Sequence, residues 1–185
     1  MPSMPEETAP TFLPKIFSDW LAARAWSLRP HQSACLEAAR RGASCLLIAP
    51  TGGGKTLAGF LPSLIELHER GAGRGGGLHT LYVSPLKALA VDIARNIGTP
   101  IREMSLDITV ETRTGDTPSA RRQRQRFAPP DMLLTTPEQL ALLISTPQSG
   151  KIFSTLKVLI LDELHAMIGS KRGDLLALGL SRLKR

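Results

Sequence analysis

Residues 49–56 read Ala49-Pro50-Thr51-Gly52-Gly53-Gly54-Lys55-Thr56, and this stretch decides the fold. The short apolar run Leu46-Leu47-Ile48-Ala49 leads into it, and apolar residues at helical spacing follow from Leu57 onward. Glycines allow backbone N–H groups to converge on an anion, and a helix that begins next adds its own free N–H groups. The order therefore predicts a buried strand, a phosphate-binding loop and a helix.

The side chains of this loop suit a nucleotide bound with Mg²⁺. Lys55 supplies a compact positive charge for the outer phosphates, and Thr56 offers a hydroxyl to the metal ion. Ala49 stands where the strict pattern has glycine, and a glycine-rich turn that happens to precede Lys-Thr is the alternative interpretation. The predicted nucleotide-binding residues of the loop are Pro50, Thr51, Gly52, Gly53, Gly54, Lys55 and Thr56.

An acidic pair follows the most apolar segment of the chain. Asp162 and Glu163 come directly after Val158-Leu159-Ile160-Leu161. Ligands gather at the carboxyl ends of parallel strands, so we expect Asp162 beside Lys55 and Thr56. We predict that Asp162 binds Mg²⁺ and that Glu163 orients and deprotonates water. A helix N-cap is the alternative for the pair considered alone.

The remaining chain alternates between strand-like and helix-like patterns. That alternation predicts an α/β fold, with a mostly parallel sheet and helices on both of its faces. The predicted strands are 46–49, 80–84, 108–112, 132–135 and 158–161. One predicted helix begins directly after the phosphate loop and contains Pro62. The other predicted helices are 16–25, 31–40, 86–97, 118–126, 137–144 and 174–183.

Composition narrows the class of partner and the compartment. A net charge of +7 favours a polyanion such as nucleic acid, although free use of arginine would give the same value. Cys35 and Cys45 have no metal-ligand spacing and are expected as buried, reduced thiols. No apolar run is long enough for a membrane helix or a signal peptide. We expect a cytoplasmic protein with a disordered lead-in at 1–14 and one domain over 15–185.

Several blocks resemble the motifs of superfamily 2 helicases. Asp162-Glu163-Leu164-His165 is similar to the DExH form of motif II, and residues 49–56 are similar to motif I. Arg29-Pro30-His31-Gln32 resembles the upstream element that reads adenine. The resemblance implies a catalytic place for His165 beside Lys55, Asp162 and Glu163, and an adenine contact for Gln32.

The segments between these motifs resemble those that grip a nucleic-acid backbone. Ser84–Ala90 is similar to motif Ia, and the segments that begin at Thr114 and Thr136 are similar to the next two. Hydroxyls and Lys87 suit phosphate contacts, and helix-capping turns are the alternative for each. The implied nucleic-acid-binding residues are Ser84, Pro85, Leu86, Lys87, Thr114, Gly115, Asp116, Thr136, Pro137 and Glu138.

The amino-acid sequences of residues 112–117, 135–143 and 170–180 resemble those of the large helicase-related group. Within that group they are most similar to the bacterial ligase-associated DEXH-box helicases. This resemblance implies a three-layer RecA-like domain that uses ATP and Mg²⁺ to move 3′ to 5′ on single-stranded DNA. It also implies a DNA-repair setting, with repair nuclease or ligase proteins as partners.

Helicases of this kind bind ATP between two RecA-like domains, and the printed sequence contains no second one. We therefore expect the chain by itself to bind ATP–Mg²⁺ weakly and to show almost no DNA-stimulated hydrolysis, because the second domain brings arginine fingers. The alternatives are a nonmotor nucleotide switch, a small kinase, a nucleic-acid-binding domain without nucleotide, or an RNA helicase. We interpret the basic run 121–126 as a solvated face in preference to a DNA patch.

Overall fold

The computed structural model describes residues 13–50, 52–71 and 76–183. Its centre is a sheet of four parallel strands in the order β2-β3-β1-β4. The strands are β1 (Thr80–Val83), β2 (Val110–Arg113), β3 (Met132–Thr135) and β4 (Val158–Leu161). The predicted parallel sheet is confirmed.

Helices connect the strands and cover both faces of the sheet. They are α1 (Lys15–Ala22), α2 (Pro30–Arg40), α3 (Lys55–Glu69), α4 (Lys87–Glu103), α5 (Ser119–Phe127), α6 (Pro137–Ile144), α7 (Ser149–Phe153) and α8 (Lys171–Leu183). A short 3₁₀ helix, Leu164–Ala166, follows β4. The alternation of side chains along each strand divides the core into two layers. Tyr82 and Leu134 face the layer under α1 to α4, whereas Leu81 and Leu133 face the layer under α6 to α8.

The strand predicted at 46–49 is wrong. Residues 43–50 have no regular secondary structure, and the side chains of Leu46 and Ile48 are 76% and 87% exposed. An apolar run becomes a strand only where a neighbouring strand takes its backbone hydrogen bonds. Among the described residues no strand lies beyond β4, and the segment 43–50 is not paired with any strand. The composition of this run indicates a preference for the extended conformation, but it does not indicate whether a neighbouring strand is present to pair with it.

Other boundaries moved by a few residues. Strand β2 begins at Val110, two residues after the predicted start, and α4 continues past the predicted end at Ile97 to Glu103. Neither α7 nor the 3₁₀ helix was predicted from the sequence. Cys35 is buried as expected, but Cys45 is exposed. Most of the predicted lead-in at 1–14 and the centre of the glycine-rich loop at 71–77 lie outside the described residues.

Over the described ranges, no helix combines the length and the hydropathy that crossing a lipid bilayer requires.

The core predicts a large and local stability effect. Leu134 is fully buried between the sheet and the first helical layer, whereas Leu178 on α8 is 60% exposed. We expect Leu134→Ala to lower the free energy of unfolding by about 2–5 kcal/mol, because it leaves a cavity under the sheet. The same substitution at Leu178 should change it by less than about 1 kcal/mol. Urea unfolding of both variants measures the difference, and equal midpoints would contradict this packing.

Candidate functional site

The loop before α3 has the shape of an anion cradle. Gly52 and Gly54 have positive φ angles of 76° and 78°, which side chains other than glycine rarely adopt. The N–H of Gly53 donates to the carbonyl of Pro50 at 3.0 Å, and a Cβ on Gly53 would lie 2.8 Å from that same oxygen. Gly54 is the N-cap of α3, so the free N–H groups of the helix point toward the loop. Thr51 lies outside the described residues.

The N-terminal end of α2, including its N-cap Arg29, binds the carbonyl oxygens of this loop. Nη1 of Arg29 donates to Gly52 O at 3.4 Å, Nε2 of His31 lies 2.8 Å from Gly53 O, and Nε2 of Gln32 donates to Gly54 O at 3.1 Å. Three consecutive loop carbonyls are therefore bound by one end of one helix. A carbonyl only accepts, so Nε2 of His31 is the protonated ring nitrogen in this contact.

Gln32, predicted to read adenine, is 5% exposed and already engaged at both ends of its amide. Its Oε1 accepts the N–H of Arg29 at 2.9 Å, which completes the start of α2, and its Nε2 contacts the loop. The structure thus gives Gln32 a positioning contact with the cradle. Arg29 and His31 were not predicted as site residues, and their only signal in the sequence was their place beside Gln32.

Lys55 and Thr56, predicted as the last residues of the loop, occupy the first turn of α3. Nζ of Lys55 donates to the carbonyl of Ala49 at 2.7 Å, which closes the loop on itself. One turn further along, Gly59 packs on β4, since a Cβ there would be 3.7 Å from Cγ2 of Ile160. The start of α3 is therefore held near the carboxyl end of β4, where Asp162 follows.

Asp162 is oriented by two donors. The hydroxyl of Tyr82 donates to its Oδ2 at 2.6 Å, and the backbone N–H of Glu163 donates to its Oδ1 at 2.9 Å. Burial and then the Asp162 carboxylate raise the pKa of Tyr82 far above its usual range, so the phenol keeps its proton and donates. Tyr82 was not predicted as a site residue. Its signal was that it is the one aromatic residue of strand β1.

Glu163 adopts a left-handed backbone with φ 48° and ψ 40°. For a residue with a Cβ this conformation costs about 1–2 kcal/mol, and such strain concentrates at functional sites. Its carboxylate lies 3.2 Å from Nε2 of His165, whose side chain is 80% exposed. The predicted catalytic residues of this segment are thus adjacent, and His165 contacts the carboxylate predicted to handle water.

The three segments predicted to bind nucleic acid meet at the carboxyl edge of the sheet. They follow β1, β3 and β2, which are neighbours in the sheet. Nζ of Lys87 forms an ion pair with Asp116 at 2.8 Å, which joins the segment after β1 to the one after β2. Arg172 on α8 contacts both Pro85 O and Glu138, which joins the segments after β1 and β3.

The hydroxyls in these segments stabilise turns. Ser84, Thr114 and Thr136 are all buried. The N–H of Leu86 donates to the hydroxyl of Ser84 at 3.3 Å, and the N–H of Asp116 donates to that of Thr114 at 3.3 Å. Among the residues predicted to bind nucleic acid, those that reach solvent are Leu86, Lys87, Gly115 and Asp116. Glu138 is partly exposed, and Pro85 and Pro137 are buried. Their contact with nucleic acid stays a prediction.

Part of the basic run 121–126 on α5 contacts residues of strand β2. Nη2 of Arg124 pairs with Glu111 of β2 at 2.5 Å. The carbonyl of Arg122 accepts a hydrogen bond at 2.8 Å from the buried guanidinium of Arg113. Burial, and then neighbouring arginines, lower the pKa of Arg113 to about 10.

Comparison with known proteins places these features in a family. Residues 29–185 match the DEAD/DEAH box helicase family. The Lhr helicase/probable uracil glycosylase of Mycolicibacterium smegmatis is 40% identical over 175 residues, which cover 89% of this chain and 12% of that protein. The ATP-dependent helicase Lhr-Core of Methanocaldococcus jannaschii is 37% identical over 185 residues, which cover 94% of this chain and 22% of that protein. The chain therefore spans less than a quarter of the length of these relatives.

Solved structures agree. The Mycobacterium smegmatis helicase Lhr bound to ssDNA and AMP-PNP is similar with a TM-score of 0.83 and 38% identity, over 91% of this chain and 22% of that one. The DUF1998 helicase MrfA has a TM-score of 0.82 and 32% identity, over 95% and 27% of the two chains. These matches confirm the resemblance to large helicase-related proteins and the RecA-like fold class. The ligase-associated subgroup stays a prediction.

Gly54 provides a test of the cradle. A Cβ there would lie 2.6 Å from Nε2 of Gln32, and the positive φ adds strain. We expect Gly54→Ala to lower the free energy of unfolding by about 1–2 kcal/mol and to weaken ATP binding about tenfold or more, since a loss of 1.4 kcal/mol suffices. Gly150→Ala is the matched control, because Gly150 is helical with open space around its Cα. Unfolding and calorimetric titration that gave the same values for both variants would contradict the geometry.

Proposed function

The chain belongs to the DEAD/DEAH box helicase family, and we propose that it is the nucleotide-binding domain of an ATP-dependent helicase that moves 3′ to 5′ on single-stranded DNA. The observation that supports this most is the glycine cradle at the start of α3, packed close to the end of β4 where Asp162 is held by Tyr82. A phosphate-binding loop beside an oriented carboxylate is what binding of a nucleotide with Mg²⁺ requires.

The donor set fits ATP and Mg²⁺. The loop has no room for a Cβ at Gly53 or Gly54, so its backbone N–H groups can approach phosphate oxygens closely. In our proposal the backbone of Gly52–Gly54 and the Lys55 ammonium bind the phosphates, while Thr56 and Asp162 hold the metal ion. When bound, Mg²⁺ supplies positive charge that neutralises the phosphate oxygens.

The residues proposed to orient water and accept its proton lie at the same edge of the sheet. Glu163 lies next to Asp162, with its backbone in the left-handed region and its carboxylate near His165. We assign Glu163 to orienting water and accepting its proton, and His165 to positioning that carboxylate. Because Asp162 accepts two hydrogen bonds already, it is better suited to holding a cation than to moving a proton.

The track is proposed to be single-stranded DNA. The segments after β1, β2 and β3 form one surface, and the chain has a net charge of +7. The related Lhr structure holds ssDNA and AMP-PNP. The polarity and the repair setting rest on the sequence resemblance, as do a second RecA-like domain and repair nuclease or ligase partners. A cytoplasmic location rests on the cysteine usage and on the lack of a long apolar run in the sequence.

A binding experiment tests this function. The 185-residue chain is titrated with matched single-stranded DNA and RNA, with and without AMP-PNP–Mg²⁺. We expect the nucleotide to change DNA affinity by about fivefold or more, as coupled sites do. Lys55→Ala should abolish the effect together with nucleotide binding, whereas Lys151→Ala, an exposed lysine on α7, should not.

Each alternative has its own signature in that experiment. Nucleotide binding without any affinity for nucleic acid would leave a nonmotor switch or small kinase. Preference for RNA would replace DNA as the track. Unchanged nucleotide binding in Lys55→Ala would overturn the assignment of the loop.

Tyr82→Phe is expected to weaken the Mg²⁺ dependence of ATP binding. The substitution removes one of the two donors to Asp162 and leaves the strand intact. Loss of a group that orients a metal ligand typically reduces metal affinity about 10- to 100-fold. Mg²⁺ titration at fixed ATP measures the change, with ATP binding in EDTA as the control. An unaltered Mg²⁺ titration would show that Tyr82 does not orient a metal ligand.

A further inference from the structure

Arg172 is the one side chain on α8 for which the structure gives contacts with two segments of the proposed nucleic-acid surface. Its Nη1 donates to the carbonyl of Pro85 at 3.0 Å, and its Nε lies 2.6 Å from Oε1 of Glu138. Pro85 lies just before α4, and Glu138 is in the first turn of α6. One guanidinium therefore fixes the distance between the starts of two helices that both begin at the carboxyl edge of the sheet.

The charge of Glu138 is adapted to this contact. Burial opposes that charge, but its own backbone N–H, the Thr136 hydroxyl and the Arg172 guanidinium hold the pKa of this carboxyl below its usual range. The pair is half exposed, at 51% and 41% of the two side chains, so its contribution to stability is small. A fork that bridges a carbonyl and a carboxylate instead specifies geometry, which a lysine cannot do.

The chain segment before Arg172 leads back to the acidic pair Asp162-Glu163. From Glu163 the chain runs through the 3₁₀ helix to Met167, which is 1% exposed in the second core layer. The hydroxyl of Ser170 donates to Met167 O at 2.7 Å and accepts the N–H of Gly173 at 3.2 Å. A Cβ on Gly173 would lie 2.2 Å from Met167 O, so the turn is closely packed against the start of α8.

We infer that Arg172 is a positioning residue that links the nucleotide site to the nucleic-acid surface. Movement of the Glu163 segment is passed through the packed turn 167–173 to Arg172, which shifts Pro85 and Glu138 together. This inference rests on the proposed function, and it adds the residue through which the two sites communicate. A short, packed connection of this kind is one physical route by which coupling between two sites is carried.

The test compares Arg172→Ala and Arg172→Lys with wild type in two measurements. The first is the ratio of single-stranded DNA affinities with and without AMP-PNP–Mg²⁺. We expect a ratio of about five or more for wild type and of about one for both variants, with nucleotide affinity in the absence of DNA unchanged. Arg182→Ala, an exposed arginine on the same helix, should keep the wild-type ratio.

The second measurement is hydrogen exchange of residues 84–90 and 136–143 when AMP-PNP–Mg²⁺ is added without DNA. Wild type should show a nucleotide-dependent change in both segments, and Arg172→Ala should show none. A merely structural role would lower thermal stability and both affinities while leaving the ratio and the exchange response in place, which would overturn the inference. Failure of wild type to bind DNA would overturn the proposed function, and the exchange response would still decide the role of Arg172.

Discussion

The parallel register of β1 and β4 is the constraint on which the rest of the site depends. Val83 lies opposite Leu161, so the residues that follow the two strands leave the sheet side by side. The same register places Tyr82 next to Ile160, and from there its hydroxyl reaches Asp162. Because β2 and β3 run in the same direction, their following segments come to the same edge. Nucleotide chemistry and the proposed nucleic-acid contacts are thus neighbours by topology.

Hydrogen bonds to its backbone carbonyl groups explain how a loop with so few side-chain atoms keeps its shape. A glycine-rich loop gains no packing of its own, and its carbonyls need donors wherever water is excluded. Helix α2 supplies them from Arg29, His31 and Gln32 at one end. The N–H of Gly53 donates within the loop to Pro50 O, whereas the first N–H groups of α3 have no partner inside the helix. Donors from α2 and from the loop itself therefore hold the loop, and the start of α3 is left with free donors for an anion.

Sequence alone predicted the parts of the site that follow from local chemistry. The acidic pair and the three edge segments follow strands that the alternation predicted, and the loop directly precedes the helix predicted after it. It did not predict Tyr82, Arg29 or His31, because their roles depend on which strands and helices become neighbours. It was wrong about 46–49 for the same reason, since Leu46 and Ile48 have the composition of a strand but no paired neighbour. Local pattern determines what a segment prefers, and pairing determines what it does.

The charged contacts at the carboxyl edge are weak individually, and that weakness suits the change of partners that the proposed function requires. Lys87 and Asp116 are 62% and 71% exposed, so their ion pair is screened by solvent and is worth about 0–1 kcal/mol. A phosphate can therefore replace Asp116 on Lys87 at little cost. Coupling between two sites needs only about 1–3 kcal/mol of difference between states. In the proposed coupling, exchangeable contacts of this size at the edge of a parallel sheet would let a small shift near Glu163 alter the surface without disturbing the core.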